Sequence, residues 1–187
     1  MSFKVLVIPE DPTYNGYILQ PIVERMLAEL GKPNARVVIL TNPKLNGYAH
    51  ALSAIRGDLI DRYRHFDLWL FLPDADRASN LRSLESELLE RGVHLFCCAA
   101  QPEVEAWLLA GHRDELRIPW PDVRRHPRLK EEVFEPFLQQ FGDMRSSGGG
   151  RESLTRQMLT NYRGLLSVCP ELAELEERLR TFLTPSS

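Results

Sequence analysis

Three acidic groupings stand where this chain could do chemistry. Glu10 and Asp11 follow the apolar run Val5 to Ile8, Asp74 and Asp76 follow Leu68-Trp69-Leu70-Phe71-Leu72 through a single proline, and Glu103 and Glu105 come shortly after Val93 to Ala99. Each grouping leaves what reads as a strand end. In open parallel sheets, ligands bind beyond the carboxyl ends of the strands, so all three would face one edge. Carboxylates crowded there repel one another, which raises their proton affinity or demands a cation. A hard divalent ion such as Mg2+ (or Mn2+) resolves the conflict, because it takes few protein carboxylates, keeps waters and bridges to phosphate oxygens. With no Gly-rich phosphate cradle beside them, the acids suit phosphodiester chemistry.

Each acid also has a plainer reading. Aspartates form turns and cap helices, and Asp76 or Ser79 could cap the helix that holds Leu81. Glu103 would be favoured in a first helical turn by the helix dipole alone. Both Glu103 and Glu105 flank the Val104-Trp107-Leu108 stripe, so the helical wheel does not choose between them.

The elements that must position these acids follow from hydrophobic period. Phe3 to Ile8, Arg36 to Thr41, Asp67 to Leu72 and Val93 to Ala99 are rich in β-formers. Between them lie helical stripes: Ile18, Ile22, Val23, Met26, Leu27 and Leu30, ended by Gly31; then Leu52, Ile55, Leu59, Ile60 and Tyr63; then Leu81, Leu84 and Leu88. Pro21 is tolerable only if the first helix starts close by. Strands that are apolar on both faces imply an α/β domain, a mostly parallel sheet of about four strands with helices on both sides, over residues 1–118. A fourth helix is expected near Pro102. Residues 119–187 read as a helical extension, with stripes at Leu129 to Phe141, Leu154 to Leu165 and Leu172 to Phe182, and with Ser146 to Gly150 as a flexible joint.

Composition narrows the classes. At 187 residues and 43% hydrophobic composition the chain supports one compact core, and 26 acidic against 23 basic residues give no general attraction for nucleic acid. No export signal or membrane-length apolar run is evident, so a cytoplasmic protein is expected. Cys97 and Cys98 should point to opposite faces of a strand as reduced thiols, and the scattered histidines lack zinc-ligand spacing. Arg124, Arg125, Arg128 and Lys130, with His126, could meet a nucleic-acid backbone or form a solvated face. The Ser146 to Arg151 stretch lacks the Lys-Ser/Thr of a P-loop. Trp69, Phe71 and Trp107 read as core; His50 and His112 could act as acids or bases, yet a lone His more often has a structural partner.

The Glu after strand one and the Asp-x-Asp after strand three resemble the Toprim domain of topoisomerases, DnaG-type primases and overcoming-lysogenisation-defect nucleases. "PEVEAWLLAGH" is similar to a P-x-x-E-x-W-L-L signature of small bacterial Toprim-like proteins, RloB-like ones included, that are associated with phage defence. In that alignment Glu105 takes the motif acid. The Gly-containing joint followed by "CPEL" and a last amphipathic helix is similar to a Toprim-like family often encoded beside an ATPase. The resemblance implies a Toprim/Rossmann-like fold and a nuclease acting on DNA or RNA. It makes Glu10 a metal ligand or general acid/base, Asp74 and Asp76 metal ligands, and Glu105 a fourth catalytic position, with a separately encoded ATPase as partner. Asp11 stands where the family usually has Gly. The chain has no room for a separate nucleophile domain, so water would attack.

Two other classes share parts of the pattern. A receiver-like phosphorylation switch also pairs acids after strand one with an acceptor Asp after strand three, here Asp74, but needs a Lys after a fifth strand. A non-catalytic partner of an ATPase or of nucleic acid would work through the helical tail.

Overall fold

The computed structural model describes residues 2–75 and 79–184. Four strands, β1 (Lys4–Pro9), β2 (Arg36–Ile39), β3 (Leu68–Leu72) and β4 (Leu95–Cys97), pair in the order β2-β1-β3-β4, every pair parallel. Helices α1 (Gly16–Glu29), α2 (Tyr48–Arg56), α3 (Asp58–Tyr63) and α4 (Leu81–Glu90) make the crossovers. Because the chain passes from β1 to β2 on one side and returns to β3 on the other, the topological switch point falls between β1 and β3. The α/β class read from the sequence is what the chain adopts.

Period-two alternation splits the sheet's side chains into two cores. Val5, Val7, Leu68, Leu70, Leu72 and Cys98 enter one. Leu6, Ile8, Trp69, Phe71, Leu95 and Cys97 enter the other, against α2, α3 and α4. Cys97 and Cys98 thus separate as expected, and all three cysteines are buried free thiols. Full burial of both faces of β1 and β3 matches their unbroken apolar runs.

Several boundaries depart from the sequence expectation. The single stripe from Leu52 to Tyr63 is cut into α2 and α3 at Gly57, whose φ and ψ of −115° leave the helical region. Pro21 lies inside α1 and loses only the bond that its N–H would have given to Tyr17, near the helix start. β4 is shorter than Val93 to Ala99, because Val93 N–H turns back to the Leu88 carbonyl to finish α4. Beyond β4 the pairing resumes at one bridge, Asp74 to Ala100.

The tail follows as α5 (Glu105–Leu109), α6 (Trp120–Val123), a π-helical turn Lys130–Phe134 running into α7 (Glu135–Phe141), α8 (Arg151–Met158), α9 (Tyr162–Val168) and α10 (Pro170–Leu183). It shares the first core: Phe134, Leu138, Leu154, Tyr162, Leu172 and Leu179 cluster with β1, β3 and α1. α8 packs on both α1 and α5. The Ser146 to Gly150 stretch is an ordered turn and not a loose joint. Ser147–Gly150 is a 3-10 segment with Gly148, Gly149 and Gly150 at positive φ, and Gly150 is buried. Among the described residues no helix is long and apolar enough to cross a membrane.

Candidate functional site

The carboxyl edge at the switch point is built by backbone first. Past β3, Ala100 N–H donates to the Pro73 carbonyl at 2.8 Å, and Ala75 N–H donates to the Ala100 and Pro102 carbonyls at 2.9 and 3.0 Å. These bonds clamp Asp74 between the ends of β3 and β4. Its Oδ1 accepts from Val104 N–H at 2.9 Å, so the side chain also caps the turn that leads into α5. Across the switch point, Glu10 Oε2 accepts from Asp74 N–H at 3.3 Å. Glu10 and Asp74, 64 residues apart, are therefore neighbours.

Glu105, at the start of α5, and Glu103, just before it, complete the group. Glu105 is 2% exposed, and Glu103 is half-buried with Oε2 accepting from Lys130 N–H at 3.2 Å. Asp11 Oδ1 accepts from Thr13 N–H at 2.8 Å in a local turn. Lys130 reaches in from the tail, with Nζ 3.8 Å from Glu105 Oε1 and 3.9 Å from Asp11 Oδ2. The ammonium thus sits between two acids without closing a hydrogen bond to either.

Electrostatics record the crowding. Burial, then the Glu105 charge, push the Asp74 carboxyl up to about 7, with Glu10 and Glu103 adding to the rise and the Val104 N–H bond opposing it. Burial and the Glu105 charge likewise push Glu103 to about 7 against the bond from Lys130 N–H. Burial raises Glu105 as well, tempered by a backbone bond, Lys130 and Arg151. Crowded carboxyls held near neutrality are suited to proton transfer or to cation binding.

Of the acids expected from the sequence, Glu10, Asp74 and Glu105 come together, and Glu103 and Asp11 join them. Asp76 lies outside the described residues. Among the described residues, no three His, Cys, Asp or Glu side chains converge closely enough to hold a metal ion by themselves.

The basic stretch divides instead of forming one face. Arg124 grips Glu171 with two bonds of 2.8 and 2.7 Å, Arg128 pairs with Glu132, and Lys130 turns to the acids. Trp107 is fully buried and donates Nε1–H to Glu171 at 2.8 Å. His112 Nε2 meets the Leu154 carbonyl at 3.1 Å, and His50 Nδ1 accepts from Asn46 N–H, so both are structurally partnered. What the sequence reading missed is the cationic side of the site. Lys130 had the look of a surface charge, and Arg151, 7% exposed and stacked 4.4 Å from the Tyr14 ring centroid, follows a glycine run that drew attention only as a joint. An arginine at the first turn of a helix, where a cation is disfavoured, was the available signal.

Comparison with protein-family models, with curated proteins and with solved structures returns no match for this chain.

Proposed function

We propose that this chain is a magnesium-dependent, Toprim-like nuclease or nuclease subunit that hydrolyses phosphodiester bonds of DNA or RNA. The observation that carries the reading is the meeting of Glu10 and Asp74 across the switch point, with burial first and then the Glu105, Glu10 and Glu103 charges raising Asp74. Phase of the fold supports it too, since this is the edge where open parallel sheets take their ligands.

The donor set fits the ion. Mg2+ is held by oxygen ligands, commonly one or two carboxylates with waters and substrate phosphate making up the remainder. Glu10 and Asp74 would hold it, with Asp76 as the third acid of the resemblance. When bound, the ion would lower the pKa of a water toward neutrality and offset phosphate charge. The protein's own groups supply the rest. The Val104 N–H bond fixes Asp74 Oδ1, so Oδ2 would be the oxygen offered to the ion. Glu10, held by Asp74 N–H, would serve either as a ligand of the ion or as the group that takes a proton from the attacking water. Lys130 keeps buried Glu105 from adding a full uncompensated charge and offers an ammonium to a phosphate oxygen. A separately encoded ATPase and a role in phage defence rest on the resemblance alone, and a cytoplasmic setting on the lack of an evident export signal or membrane-length apolar run in the sequence.

The test is metal-linked stability together with cleavage. Mg2+ or Mn2+ should raise the melting temperature, and Asp74→Asn should abolish both that rise and any hydrolysis of single- or double-stranded substrates. Cleavage unchanged in Asp74→Asn would overturn the assignment.

A further inference from the structure

Three of the exposed large apolar or aromatic side chains among the described residues, Tyr14 at 43% exposure, Tyr17 at 39% and Met144 at 62%, lie around one turn, whereas Phe141 packs against Phe137 with ring centroids 4.9 Å apart. A Cβ added to Gly148 would come within 2.5 Å of Tyr17 Cγ, and one added to Gly149 would lie 3.6 Å from Met144 Cε. Gly142, next to Phe141, has its Cα only 2.9 Å from where a Cβ on Gly150 would be. The glycine turn is therefore the floor on which these side chains rest.

Two of the rings are held in place. The Arg151 guanidinium lies 4.4 Å from the Tyr14 centroid and 5.3 Å from that of Phe134, and its Nη1–H donates to the Gly148 carbonyl at 2.8 Å. Gly148 in turn backs Tyr17. Tyr14 and Tyr17 are also joined by a bond of 3.1 Å from Tyr17 N–H to the Tyr14 carbonyl. Each ring thus has one side fixed by Arg151 or Gly148, and each residue keeps about two fifths of its surface in solvent. Both follow Asp11 by a few residues, and Lys130 pairs Asp11 with Glu105, so the patch adjoins the acidic edge. From Met144 to Arg151 the chain carries two arginines and no acid.

We propose that Tyr14 and Tyr17 form a stacking platform for unpaired bases, so that the substrate of the neighbouring acidic site is a single-stranded nucleic acid. Rigid exposed rings accept base faces of any sequence, and Arg145, exposed in the same turn, suits the backbone that links them. Stacked bases in a duplex offer no free face to such rings. This rests on the nuclease reading for what is done to the strand, though not for whether the strand binds.

The test uses the full chain carrying Asp74→Asn, free of divalent ion and at low salt, with labelled single-stranded DNA, single-stranded RNA and the matching duplex, read by fluorescence anisotropy. Single strands should bind at least about tenfold more tightly than duplex. Adding Tyr14→Ala and Tyr17→Ala should weaken single-strand binding about tenfold or more and leave duplex binding unchanged, whereas Tyr14→Phe with Tyr17→Phe should retain it. Unaltered single-strand affinity in the alanine variant, equal affinity for duplex, or no binding to any oligonucleotide, as for a patch that docks a protein, would overturn the platform. The metal reading is scored apart, in the chain with Asp74 intact, where the Mn2+-induced rise in melting temperature should persist in the tyrosine variants. Loss of that rise in the parent chain, with tyrosine-dependent binding kept, sinks the nuclease reading and leaves the platform standing.

Discussion

Asp74 answers two demands at once. Its Oδ1 is needed as an acceptor for Val104 N–H, which ties β3 to the start of α5, and that structural role survives loss of the charge. Its charge, by contrast, is disfavoured by burial and by Glu105, Glu10 and Glu103. The folded state therefore keeps a proton on Asp74 up to about 7, while the unfolded chain releases it near the ordinary value of 3.8. Between those values the unfolded state binds fewer protons, so stability is fully present below the lower value and falls as pH rises through the upper one. Asp74→Asn keeps the acceptor and removes the ionisation. In chelator at pH 8 the variant should melt several degrees above the parent, since about 1 kcal/mol is worth about 2–4 °C at this chain length, and the gap should close at low pH. Thermal melts across pH decide it: a variant less stable than the parent at pH 8 would mean that the charge is satisfied within the protein, and the case for a cation there would go.

The glycine turn shows what a sequence pattern leaves open at the scale of an element. Three consecutive glycines satisfy equally a flexible joint, which uses their entropy, and a tight left-handed turn, which uses their lack of Cβ. Only the neighbours choose, and those neighbours, Tyr17 and Asp143, lie outside the motif. The two positions with least tolerance can be ranked against the third. At Gly150, φ is +90° and an added Cβ would stand 2.7 Å from Asp143 N and 2.9 Å from Gly142 Cα, both backbone atoms that cannot swing aside. At Gly149, φ is +63° but the nearest heavy atom is 3.5 Å away, so only conformational strain remains. Gly149→Ala should cost about 1–2 kcal/mol, and Gly150→Ala about 2–4 kcal/mol because overpacking adds to strain. Equilibrium denaturation with urea reads both, and equal losses would show the turn to be loose. The strands were the opposite case: from Val5 to Pro9 in β1 and throughout β3 every position is apolar whichever face it meets, so no partner was needed to recognise them. The split of α2 from α3 was hidden because the stripe runs on through Gly57, and only its dihedrals reveal the break.

At the scale of the whole molecule, the acids were legible because three of their groupings follow strand ends, which the topology of a parallel sheet sends to one edge. The cations and the aromatic patch were not, since Lys130, Arg151 and the glycine turn reach that edge only through the packing of the tail. The helical extension over 119–187 shares a core with the α/β unit over 1–118, and that sharing argues that the first part is not stable alone. Trp107 and Leu108 are fully buried in a core that also holds Phe134, Leu138, Leu154 and Tyr162, and Trp107 loses its Nε1–H acceptor if Glu171 is removed. Arg124 clamps Glu171 from the other side, with both side chains mostly buried, at 15% and 17% exposure. Cutting after Ile118 would bare the helix-facing side of β1 and β3 along with α1 and α5, an apolar surface far beyond what a soluble monomer tolerates. The fragment 1–118 should therefore show no cooperative thermal transition by circular dichroism. Glu171→Gln in the full chain, which breaks the charge pair but keeps an acceptor for Trp107, should melt only a few degrees lower. A fragment that unfolds cooperatively near the melting temperature of the full chain would show that the sheet stands by itself, and that the tail's contribution to the acidic edge is an addition to a finished domain.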